Sequence, residues 1–287
     1  METYNDIYLR VRKKLKNAGV DASELEARLI VAHCAGRSRE KLLAMSTIFA
    51  TDQVIKKKID ESLERRLNGE PLAYVLGEWE FYGIPLIVNE NVLIPRVDTE
   101  VLAREIIGLL KRKVWQTRLL DLCTGSGCLG LAVAANVPNC RIVMIDSSEK
   151  ALAVCRQNMI KNNLSRHITA MDADILIKPP AILGEFDMIV CNPPYIPTKD
   201  IESLDSSVKD YEPRIALDGG EDGLKYYQAV TGNWRKLLKR GGHLAFECGE
   251  NQAPAVRYLM KQNGFSDIKT YKDTLGIERV VIGMILE

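Results

Sequence analysis

Apolar side chains recur at helical spacing through the first seventy residues. Leu25, Leu29 and Ile30 mark one face that stops at Gly36, and Asp21 followed by Glu24 predicts a capping box at its start. Val54, Ile55, Ile59, Leu63 and Leu67 mark a second helix, from near Thr51 to Gly69. Residues 71–95 break the rhythm. Tyr74, Val75, Trp79, Phe81, Tyr82, Ile84, Leu86 and Val88 crowd among Gly77, Gly83 and Pro85, which predicts a β-hairpin connector rather than a helix.

From Asp98 onward the pattern alternates. Helices are expected from Asp98 to about Lys113 and over 127–136, 149–162, 223–239 and 252–263. Strand-like runs fall at 118–122, 141–145, 167–171, 186–191 and 243–248. Such alternation predicts an α/β fold, a parallel sheet with helices on both faces. Two last strand candidates, 267–271 and 278–286, have little between them and predict a closing antiparallel pair. The expected organisation is a helical domain over 1–70, a hairpin connector over 71–95 and an α/β domain over 96–287, its sheet seven-stranded and mostly parallel.

Composition narrows the function classes. Lys and Arg total 39 against 38 Asp and Glu, with 14 against 11 in residues 1–70 and 25 against 27 in the rest. That balance argues against gripping bare nucleic acid. No apolar run is long enough to span a bilayer, and the Met-Glu-Thr-Tyr-Asn-Asp start lacks a secretion-signal pattern, so a cytoplasmic protein is expected. Seven cysteines without a Cys-x-x-Cys pair point to reduced, buried thiols rather than to disulfides or a metal site. No metal is expected.

Candidate chemistry begins where the strand at 118–122 runs into Cys123-Thr124-Gly125-Ser126-Gly127-Cys128-Leu129-Gly130. Glycines at such a turn let backbone N–H groups approach a ligand. The next strand ends at Asp146, an acid placed to accept both hydroxyls of a ribose. Together these imply an adenosine-type cofactor without separating a nicotinamide from S-adenosylmethionine. The strand at 186–191 ends in Asn192-Pro193-Pro194-Tyr195. An amide oxygen, a stiff proline loop and a flat aromatic face suit the holding of a planar –NH2 group. Its two hydrogens would go to the Asn192 side-chain oxygen and the Pro193 carbonyl.

With these motifs on view, Asp121 to Gly127 with Asp146 resembles the cofactor site of class I methyltransferases, a Rossmann-like fold. The Asn192–Tyr195 tetrad resembles that of members acting on planar nitrogens. Gly69–Gly77, Phe81-Tyr82-Gly83, Val92–Glu100, Glu212–Leu224 and Glu247-Cys248-Gly249 are similar to the HemK/PrmC family over nearly the whole chain. The resemblance implies methyl transfer from S-adenosyl-L-methionine to N5 of the glutamine in the Gly-Gly-Gln tip of class-1 peptide chain release factors. It places Asp121, Cys123, Thr124, Gly125, Ser126, Gly127, Asp146, Asp174 and Ile175 at the cofactor. Asn192 then touches cofactor and substrate, Pro193, Pro194 and Tyr195 complete the glutamine pocket, and Arg96 helps to close the site. Asn192, Pro193 and Tyr195 are the candidate catalytic residues.

The family pattern is departed from in three places. Cys123 replaces a glycine, and a side chain there crowds the cofactor if its φ is positive. Val97-Asp98 replaces Pro-Glu, and Ile175 replaces an aromatic, so adenine packing is expected to be apolar. The helical domain is expected to dock the protein substrate. Rival readings are a ribosomal-protein glutamine methyltransferase, an adenine-N6 nucleic-acid methyltransferase, a nicotinamide oxidoreductase and a non-catalytic cofactor-binding module. Direct nucleic-acid or membrane binding is not expected.

Overall fold

Five helices open the chain in the computed structural model, which describes residues 2–286. They are α1 (Tyr4–Asn17), α2 (Ser23–Cys34), α3 (Arg39–Ala44), α4 (Gln53–Leu67) and α5 (Leu72–Leu76). Ile7, Val11 and Leu15 share one face of α1 and close on Ile30 and Val31 of α2 and Ile59 and Leu63 of α4, a dry core for this unit. A capping box forms at Thr3 and Asp6, where each backbone N–H donates to the other's side chain at 2.8 and 3.1 Å. The box expected at Asp21 and Glu24 does not form. α2 starts after Ala22 without a side-chain cap, because Glu24 is drawn to Arg28 one turn on, at 2.9 Å.

The stretch after Gly69 opens as a helix, α5, stopped by Gly77 at φ 70°. The hairpin follows. β1 (Glu78–Phe81) and β2 (Ile84–Ile87) pair antiparallel about Tyr82 and Gly83, both at positive φ, as a two-residue turn between right-twisted strands requires. By its packing the chain forms two units. One runs to Gly77 and includes Ser206–Tyr211; the other holds Glu78–Asp205 and the chain from Glu212 onward.

In the second unit come α6 (Thr99–Lys111), β3 (Thr117–Leu122), α7 (Cys128–Asn136), β4 (Cys140–Asp146), α8 (Glu149–Lys161), β5 (Ile168–Asp172) and β6 (Phe186–Cys191). α9 (Ser206–Lys209) lies in the segment that packs with the first unit. α10 (Lys225–Gly232), β7 (Leu238–Glu247), α11 (Ala253–Gln262), β8 (Phe265–Lys272) and β9 (Glu278–Ile285) complete the fold. The seven strands lie in the order β5-β4-β3-β6-β7-β9-β8. The first five are parallel neighbours, and β9 runs antiparallel between β7 and β8, as the short tail spacing predicted. The helix expected over 223–239 stops at Gly232. A 3-10 turn at Trp234–Leu237 follows, because Trp234 is wholly buried and its indole N–H donates to the Ile175 and Ile177 carbonyls at 2.8 and 3.1 Å. β7 therefore begins five residues earlier than its apolar run indicated.

Order reverses at β3, so β4 and β6 flank it and the carboxyl ends of all three strands share one edge. A crevice is expected there. Among the described residues, no helix is long and apolar enough to cross a membrane, and no group of three or more His, Cys, Asp or Glu is placed to hold a metal ion.

Candidate active site

A cleft of about 890 Å³, counted with its open mouth, lies at that edge. Cys123, Thr124, Gly125 and Ser126 line it after β3, Asp146 after β4, Asp174 and Ile175 beyond β5, and Asn192 and Pro194 after β6. Arg96 lines it from the segment before α6. Asp121, Gly127, Pro193 and Tyr195 do not line it.

Asp121 is buried, at 1% exposure. Its Oδ2 accepts from Thr124 Oγ1 at 2.6 Å and from Gly130 N at 3.1 Å, which fixes both ends of the glycine turn. Oδ1 has no partner. Burial raises the carboxyl to about 7, against the two donors that lower it; Asp146 nearby adds to the rise. Gly127 stands at φ 84°, and a Cβ there would sit 2.9 Å from Cys155 Sγ, so only glycine fits between turn and helix. Asp146 Oδ2 accepts from Gly125 N and Oδ1 from Ser148 N, both at 2.9 Å. Each carboxylate oxygen keeps a second acceptor site. Burial raises this carboxyl too, while the backbone donors oppose it.

Cys123 takes φ 56°, a left-handed backbone that costs a non-glycine residue about 1 kcal/mol. Its thiol lies against that of Cys191, and the side chain packs on the sheet core while still lining the cleft. Ile175 is buried, so its contribution to the wall is apolar. Tyr226 of α10 lines the same cleft and supplies an aromatic ring that the Ile175 position lacks.

The tetrad is clamped from one side. The Tyr195 carbonyl accepts from Gln252 Nε2 at 2.9 Å, and Gln252 Oε1 accepts from Gly249 N at 2.9 Å. Next to it, Ile196 N donates to the Leu217 carbonyl at 3.0 Å and the Ile196 carbonyl accepts from Gly219 N at 2.8 Å. The Tyr195 side chain is partly buried against the sheet core, and desolvation raises its phenol. Asn192 Nδ2 donates to Thr99 Oγ1 at 3.3 Å, which directs its oxygen elsewhere. Arg96 Nη2 pairs with Glu212 Oε1, and Glu212 Oε2 accepts from Ile94 N at 3.1 Å. The Glu212 side chain is 1% exposed, so Arg96 is pinned to the cleft wall by a buried charge.

Thr99 and Glu212 lay within recognised motifs, yet their roles were not legible there because each depends on a partner far away in sequence. Asn158 gave no local signal. From inside α8 it donates to the Ile87 and Ser126 carbonyls at 3.0 and 2.9 Å and accepts from Ile87 N at 2.6 Å, joining the hairpin to the glycine turn.

The chain is similar to known proteins over most of its length. Residues 98–205 match the family described as Methyltransferase small domain, and residues 6–77 match PrmC N-terminal domain. The release factor glutamine methyltransferase of Thermodesulfovibrio yellowstonii is 38% identical over 260 residues, 90% of this chain and 91% of that protein. That of Caulobacter vibrioides is 37% identical over 275 residues, 95% and 93% of the two chains. A methyltransferase structure from Pyrococcus furiosus has a TM-score of 0.54 at 18% identity, over 79% of this chain and 100% of that one, a likeness of fold. By sequence over nearly its whole length, and with the two domain types in order, this chain belongs to the release factor glutamine methyltransferase family.

Proposed function

We propose that this protein transfers a methyl group from S-adenosyl-L-methionine to N5 of the glutamine in the Gly-Gly-Gln motif of class-1 peptide chain release factors. The observation that carries this reading is Asn192, at the carboxyl end of β6 on the cleft wall, with its amide nitrogen committed to Thr99. Its side-chain oxygen is left to accept an N–H from a planar acceptor.

The cleft fits the donor. The open backbone at Gly125 leaves room for a ligand, since a Cβ there would meet nothing within 4 Å. Asp146 has acceptor sites left for ribose hydroxyls, and Asp174, Ile175 and Tyr226 border a space for the base. When bound, the sulfonium supplies an activated methyl and loses its positive charge on transfer. An amide nitrogen is a weak nucleophile, so the task of Asn192 is orientation in line with the methyl. Tyr195, locked by Gln252 and Gly249, stiffens that loop. Arg96, anchored by Glu212, brings positive charge to the wall beside it. The helical unit is read as the dock for the protein substrate. A chain lacking it that methylated the intact factor at full rate would remove that part of the reading.

The test is transfer of labelled methyl to a purified class-1 release factor, beside a copy with the tip glutamine changed to alanine, with ribosomal protein and DNA as further acceptors. Label on the intact factor alone is expected. Label on ribosomal protein or DNA instead moves the substrate, and label on none overturns the enzymatic reading.

A further inference from the structure

Glu247 ends β7 beside the residue on which the proposed chemistry turns. Cys191 and Phe246 are paired in the parallel β6–β7 ladder, so Asn192 and Glu247 are the next positions in register and start on the same face. Glu247 is 2% exposed and its Oε2 has no hydrogen-bond partner. A buried carboxylate is costly unless it is paired or hydrogen-bonded. Thr99 and Asn192 both act on this carboxylate, and Thr99 Oγ1 also accepts from Asn192 Nδ2. Arg279 and Asp98 are the charged groups near it, and Tyr195, Tyr227, Cys128 and Cys248 are the other titratable ones. Arg279 is already shared between Asp273 at 3.0 Å and Asp98 at 3.6 Å, so no cation is dedicated to Glu247.

This arrangement sets the direction of a hydrogen-bond chain. An ionised carboxylate only accepts. The Thr99 hydroxyl has one proton; given to that carboxylate, it leaves the Thr99 oxygen able only to accept. That oxygen then selects the –NH2 end of Asn192 and turns the amide oxygen to the cleft. A protonated Glu247 can donate instead, which releases the hydroxyl and allows the reversed amide. The reversed amide would set –NH2 against the –NH2 of the acceptor.

We propose that Glu247 is a positioning residue that acts through Thr99 to hold the Asn192 amide with its oxygen toward the acceptor nitrogen. This rests on the reading of Asn192 given above. Burial raises the Glu247 carboxyl to about 7, against Thr99, Arg279 and Asn192, which lower it, with Asp98 adding to the rise. The competent form is therefore gained as pH rises through neutrality.

The experiment is single-turnover methyl transfer to the intact factor as a function of pH, for the full-length wild type, Glu247→Gln and Thr99→Val, with calorimetry of S-adenosylhomocysteine binding beside it. For the wild type the rate should rise with pH around a midpoint near 7. Glu247→Gln should lose that limb and run about 10- to 100-fold slower at pH 8, with acceptor KM and S-adenosylhomocysteine affinity within about twofold. Thr99→Val should lose the same limb. A Glu247→Gln protein with the wild-type rate and limb overturns the proposal, as does one whose cofactor affinity falls in step with its rate. If Glu247→Gln does not fold, Thr99→Val decides, and a normal rate and limb there overturn it. A wild type that labels no glutamine defeats the function beneath it instead, a result distinct from all of these.

Discussion

At the scale of single residues, substitutions at Asn192 and Asp146 are expected to separate turnover from binding. Asn192→Ala should lower kcat by about 10²- to 10³-fold, the loss typical of one precisely placed polar group, with unchanged melting temperature and cofactor affinity. Steady-state kinetics beside calorimetry reads both, and a near-normal rate would remove Asn192 from the chemistry. Asp146→Ala should weaken S-adenosylhomocysteine by about 10- to 100-fold, since it gives up ligand contacts together with its bonds to Gly125 and Ser148. Cys123 carries a different expectation. At φ 56°, Cys123→Gly trades relief of strain against lost packing and should shift stability by less than about 1 kcal/mol. Cys123→Val, β-branched in the left-handed region, should cost about 2 kcal/mol or more in denaturant unfolding.

At the scale of elements, the site depends on segments that brace one another across the sheet edge. The tetrad loop after β6 is held by Gln252 before α11 and by the 217–219 segment. A Cβ on Gly219 would lie 2.8 Å from the Tyr195 backbone, a contact that cannot relax without moving the loop. Gly219→Ala should therefore depress kcat more than cofactor affinity, a split that kinetics and calorimetry detect. Asn158 gives the matching case for the glycine turn. Asn158→Leu removes three hydrogen bonds and leaves the Ser126 and Ile87 groups unpaired, at an expected cost of about 2–4 kcal/mol, with a parallel fall in S-adenosylhomocysteine affinity.

At the scale of the whole molecule, buried acids set the response to pH. Asp121 and Glu247 are each raised to about 7 by burial. Unfolded, they titrate near 4. Between those values the folded chain binds more protons than the unfolded one, so stability falls as pH rises across that window. Asp187 and Asp218 are lowered instead, by the Lys239 and Thr198 side chains that bond them, and their contribution changes below the window. The denaturant midpoint should drop between pH 5 and pH 8, and Asp121→Asn should flatten the slope. A midpoint that climbed over the same range would place both carboxyls elsewhere.

The alternation of apolar runs and glycine turns determined the α/β sheet, its mostly parallel order and its antiparallel close, because periodicity records which face of each element is buried. The glycine turn, Asp146 and the Asn192–Tyr195 tetrad were legible for a related reason: strand ends are marked locally, and a parallel sheet brings its carboxyl ends to one edge. Local marks misled where a longer-range partner prevailed, as at Glu24, taken by Arg28, and at the α10 end, where the buried Trp234 stops the helix. Only tertiary structure decided which motif residues line the cleft and which do not. Asp121 carries the turn, and Thr99, 93 positions from Asn192 in sequence, accepts a hydrogen bond from its amide. Burial and hydrogen-bond direction belong to groups brought together by folding, and no spacing along the chain encodes them.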